Sequence, residues 1–82
     1  MKLYLLSQDK NEGYDTYDSA VVAAGSEKEA RLIHPAGSEH PWSGVESGYQ
    51  AWCNAVDVKV HYLGEADDSV YSGVVCASFN AG

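Results

Sequence analysis

Apolar positions in this chain come in short bursts, separated by polar and glycine-containing stretches. That spacing suits strands better than long helices. Residues 2–7 (KLYLLS) are rich in strand formers and too short for an independent helix, so they predict a first strand. Residues 9–18 (DKNEGYDTYD) are polar, with Gly13 and several Asx-type turn formers, and predict a connecting loop. In 19–24 (SAVVAA), Ala20, Val22 and Ala24 fall on one face and Val21 and Ala23 on the other. A strand apolar on both sides belongs inside a sheet with something over each face.

The next segment carries its own start and stop signals. Ser26 and Glu29 form a capping box, in which the serine hydroxyl takes the amide three residues on and the glutamate reaches back to the serine amide. Glu27 suits the positive first turn. Ala30 and Ile33 then make an apolar stripe beside Leu32, and Pro35 forces His34 out of helical geometry. The result is a helix of about two turns that only packing can hold. Residues 36–54 are irregular, with Gly37, Pro41, Gly44 and Gly48 among Trp42, Tyr49 and Trp52. A helical turn is expected near 45–52, with the tryptophans folded back onto the core. Residues 57–63 alternate, Val58, Val60 and Tyr62 against Asp57, Lys59 and His61, as a half-buried strand does. An acidic turn region (64–72) leads to a last strand, 73–79 (GVVCASF), again apolar on both faces.

The order β-β-α-β-β predicts an α+β fold in a single domain, 1–82. It consists of one mainly antiparallel four-stranded sheet, with the short helix and the tryptophan-containing loop packed on one face. Both strand pairs are joined by loops longer than a tight hairpin, so turn type does not fix their register. Such a sheet leaves edges and one face to be managed, and a homodimer through either would do so.

Composition narrows the function. With 82 residues, folding buries only about 60–65% of the unfolded surface. A hydrophobic fraction of 45% still argues for a folded chain. Twelve acidic against five basic residues give a net charge of −7, and the basic ones (Lys2, Lys10, Lys28, Arg31, Lys59) are scattered. Nucleic-acid binding needs clustered cations to displace counterions, so direct contact with DNA or RNA is excluded. A protein partner with a basic surface fits the charge. No stretch reaches the length of a membrane span, and the N-terminus lacks a secretory h-region. A cytoplasmic protein with reduced Cys53 and Cys76 is expected.

Candidate chemistry is sparse, which points away from an enzyme. Cys76, in VVCAS, reads as core packing and Cys53 as the more accessible thiol, and neither has a nucleophile's sequence context. His34, His40 and Cys53 are the weak metal candidates, without the ligand pairs two to four residues apart that zinc sites show. Residues 9–20 imitate a calcium loop but place Tyr14 where glycine is required and Ala20 where the bidentate glutamate belongs. Adjacent acids in the turns, such as Asp67 and Asp68, read as turn formers. No glycine-rich phosphate cradle is present, and no cofactor is implied. A cleft around 36–54, with His34, His40, Trp42, Trp52, Cys53 and His61, is the alternative small-molecule or metal site. The favoured reading is a contact surface made by Trp42, Tyr49 and Trp52, with Tyr14 and Tyr17 from the first loop, while for at least one of the tryptophans core filling is the stronger expectation. Aromatic residues bring large contact area at small entropic cost.

The stretches YDTYDSAVVAAGSEKEARLIHP (14–35) and DVKVHYLGEADDSVYSGVVCASFNAG (57–82) resemble short uncharacterised proteins encoded by phages and other bacterial mobile elements. The resemblance implies a small stand-alone accessory protein, of a kind that includes binders of host or defence proteins. It carries over no functional residue.

Overall fold

The structure, a computed structural model, describes residues 1–37, 44 and 51–80. Four strands form one antiparallel sheet: β1 (Lys2–Ser7), β2 (Thr16–Ala24), β3 (Lys59–Glu65) and β4 (Gly73–Asn80). Between β2 and β3 come the helix α1 (Glu27–Arg31) and one 3-10 turn (Ala55–Asp57). The α+β class and the β-β-α-β-β order agree with the sequence reading. The helical turn expected near 45–52 falls largely outside the described residues.

Across the sheet the strands lie in the order β3-β1-β2-β4. β1 and β2 are therefore the inner strands, and β3 and β4, consecutive in the chain, stand at opposite edges, an order the sequence leaves open. The connection 66–72 makes this feasible. Crossing three strand intervals takes about 14 Å, and seven extended residues reach further than that. The link hugs the end of the sheet, where the Ala66 amide donates to the Met1 carbonyl at 2.9 Å.

The same topology decides which face is covered. β2 and β3 are each antiparallel to β1, so they run in the same direction with β1 between them. Joining them demands a crossover above one face, and of that crossover the described residues show α1 and 51–58. Tyr4 and Leu6 of β1 and Ala20, Val22 and Ala24 of β2 meet Ala30, Trp52, Cys53 and Val58 beneath it. Among the described residues Trp52 is the largest side chain completely enclosed.

Local signals explain the crossover's path. Ser26 accepts the Glu29 amide at 3.2 Å, as a capping serine should. The glutamate, however, reaches the amide of Gly25 (3.0 Å) rather than that of Ser26. The helix is one turn shorter than expected and already yields at Leu32, before Pro35 can end it. Arg31 then takes over: its Nη1 donates to the carbonyls of Ala55 (3.1 Å) and Val58, tying the helix to the 3-10 turn.

Two further expectations are corrected. β2 begins at Thr16, inside the stretch read as loop, because Thr16 and Tyr17 pair with Asn80 and Phe79 of β4. β4, expected to be buried on both faces, is an edge strand exposed along most of its length.

Candidate functional site

The first loop is shaped by Gln8, a buried residue immediately after β1. Its Oε1 accepts the amides of Lys10 and Asn11, both at 2.8 Å. Its Nε2 donates to the carbonyls of Asn11 (2.7 Å) and Tyr17 (2.9 Å). One neutral amide thus satisfies four groups that the turning backbone would otherwise leave without partners. Asn11 extends the tie, donating from Nδ2 to the Trp52 carbonyl at 3.0 Å, while the Tyr17 amide donates to Ala51 at 2.7 Å. The loop is fastened to the crossover from both of its ends.

At the far side of the loop Thr16 Oγ1 donates to the Gly13 carbonyl at 2.6 Å. Asp15 takes a φ of 58°, a left-handed conformation that aspartate tolerates better than most residues. This turn projects Tyr14 outward with 78% of its surface exposed. Tyr17 is half-buried, with its ring 4.8 Å from that of Phe79 and edge-on to His34 at 6.4 Å. Glu12, Asp15 and Asp18 are exposed around these rings. The outcome is an acidic surface with one projecting tyrosine and a supported aromatic pair behind it.

The other candidate residues divide into three groups. Trp42, Tyr49 and His40 lie outside the described residues. Trp52, Cys53 and His34 are buried, so Trp52 fills the core instead of offering a contact surface. Its bulk lies against Ala20 and Ala24 in the core, while its Nε1–H meets no acceptor among the described residues. His34 accepts the Ala36 amide at Nδ1 (3.0 Å), which fixes the turn after α1. His61 is exposed on β3, on the opposite face of the sheet from Trp52. Among the described residues no three His, Cys, Asp or Glu side chains converge as metal ligands would. Among them, too, no helix is long and apolar enough to cross a membrane.

The two cysteines exchange their expected places: Cys53 is buried and Cys76 exposed. Cys76 follows from the edge position of β4. It pairs with Val21 and, with Leu5, Ser19 and Ser78, lines a shallow hollow of about 160 Å³ on the open face. The sequence reading did not single out Gln8. A glutamine just past a strand, ahead of a polar loop, is the only local signal it leaves.

Two carboxyls are held below the usual carboxylate range. Asp9 is lowered chiefly by the hydrogen bond and charge of Lys59, whose Nζ lies 3.0 Å away. Asp67 is lowered by the amide and hydroxyl of Ser69, at 2.9 and 2.8 Å. Both sit in solvent, where Asp9 ties the first loop to β3 and Asp67 closes the turn at Ser69. No protein-family model matches the chain, and comparison with curated proteins and with solved structures likewise finds no match.

Proposed function

We propose that this chain is a small acidic accessory protein, cytoplasmic and encoded by a phage or other mobile element, that acts by contact with another protein rather than by catalysis. Its partner presents a basic surface. The observation that carries this reading is the fastened loop. An exposed Tyr14 is held out by a left-handed Asp15 and flanked by Glu12 and Asp18, on a chain of net charge −7. A preshaped loop loses little entropy on binding, an aromatic anchor supplies area, and the acidic surround steers a basic partner.

The test is affinity capture from bacterial lysate with the tagged chain at rising salt, beside a variant carrying Tyr14→Ala, Asp15→Asn and Asp18→Asn. A discrete partner retained at low salt, released as salt rises and lost with the triple variant, supports the reading. Absence of any retained protein at the lowest salt, or retention unaffected by the three changes, ends it.

A further inference from the structure

The two edges of the sheet are guarded very differently. β3 carries Lys59, His61 and Glu65, and Gly64 takes a φ of 150° near a break in the β1–β3 register. Charges and irregularities of this kind are how natural sheets keep foreign strands from adding on. β4 shares the irregularities, with two breaks in its register against β2 and Gly73 at a φ of 131°, but has none of the charges. From Ser69 to Asn80 the sequence holds no charged residue and no proline. Among the described residues only β2 pairs with β4, so its outer row of amides and carbonyls has no strand beside it. Val75 and Phe79 are exposed along it, and Tyr71 precedes it, still more open.

An edge with unpaired backbone groups is complemented by another strand. The charge distribution selects which one. A chain of net charge −7 repels its own copies over most of its surface, and β4, uncharged from Gly73 to Asn80 between Asp68 and the Asp15 turn, is the edge where that repulsion is least. Symmetry selects the arrangement. β4 against a copy's β3 would leave an edge open at each end and grow into a filament, which the guarded β3 opposes. β4 against β4 closes after two copies. We propose that two copies of this chain pair antiparallel through the outer edges of β4 about a twofold axis, merging their sheets into one of eight strands. The Asp15 turn of the partner-binding loop adjoins the end of β4, its amide donating to the Asn80 carbonyl at 2.6 Å, yet salt acts on the two contacts in opposite directions. It weakens attraction to a basic partner and relieves repulsion between two acidic copies.

The experiment is molar mass by sedimentation equilibrium over a concentration series, on wild type, Val75→Lys and Leu63→Lys. The two positions are matched in exposure, 51% and 48%, on opposite edges. Expected is a wild-type mass rising to twice that of the chain, a Val75→Lys midpoint at several-fold higher concentration, and Leu63→Lys unchanged. Circular dichroism checks that both variants are folded. Hydrogen exchange on the wild type covers the case where Val75→Lys does not fold. Protection of β4 amides should rise with protein concentration while that of β3 amides stays constant. A wild-type chain monomeric throughout the series, equal weakening by both lysines, or β4 protection indifferent to concentration would overturn the proposal.

Discussion

Leu5 and Leu6 are neighbours in one strand and chemically identical, yet Leu6 is fully enclosed and Leu5 only half-covered. Val21 and Val22 repeat the contrast on β2. Alternation along a strand creates two faces but does not choose between them. The choice is made by connectivity: a crossover from β2 to β3 passes above one face, and Trp52 goes with it. The other face holds Leu3, Leu5 and Val21, each only half-covered among the described residues. The lesson is that equal hydrophobicity gives unequal stabilisation, and the path of the chain sets the difference.

The widest separation between the faces should appear in thiol reactivity. Cys76 on the open face should react with a soluble disulfide reagent at nearly the rate of an unfolded thiol. Cys53 reacts only when the covered side opens, at a cost up to the global stability, about 4–12 kcal/mol for 82 residues. Stopped-flow labelling read out by mass spectrometry measures both rates, and comparable rates would mean that the covered face is not sealed. The paired truncations come next. Leu6→Ala should cost about 2–5 kcal/mol in urea unfolding, by lost burial and an unfilled cavity. Leu5→Ala, deleting a half-covered side chain, should cost about 1 kcal/mol. Equal losses would place a cover over the open face as well.

Smaller effects sharpen the boundary where the loop meets the covered side. Gln8→Ala leaves backbone groups of Lys10, Asn11 and Tyr17 without their partner and should cost about 1–3 kcal/mol. Hydrogen exchange should then rise in the loop first. Ser26→Ala removes one capping bond from α1, at about 1 kcal/mol.

Acid should do least. Asp9 and Asp67 titrate below their unfolded range, so whatever stability they add is complete above that range and is lost as pH falls through it. The urea midpoint should therefore stay level from neutral pH to about pH 5 and decline below it. Part of that decline should vanish in Asp9→Asn with Asp67→Asn. Full exposure of both groups keeps the effect slight.

Much of this architecture is legible along the chain wherever local chemistry decides it. β1 has the bounds its residues predict, Ser26 caps α1, and Ala20, Val22 and Ala24 of β2 are buried on the one face that alternation gives them, although Ala23 on the other is buried as well. What escapes local reading depends on distant partners. GVVCASF looks equally fit for the centre or the margin of a sheet, because only the placement of β2 and the 66–72 link puts it at the margin. Cys76 is exposed for that reason alone, and Cys53 is buried because the crossover carries it under the sheet. Thr16 and Tyr17 read as loop until Asn80 and Phe79 arrive to pair with them. At the candidate surface, Tyr14 and the surrounding acids are visible in the sequence, whereas Gln8, which shapes the loop, is not. A glutamine acquires that role only once the backbone turns around it.

That role has a consequence of its own. The residue organising the first loop is an uncharged amide, with no proton to gain or lose at any pH a cell reaches. The four hydrogen bonds it makes to the loop backbone are thereby indifferent to pH. Acidification or a rise in electrolyte can dim the field around this surface, but the shape offered to a partner stays as Gln8 sets it.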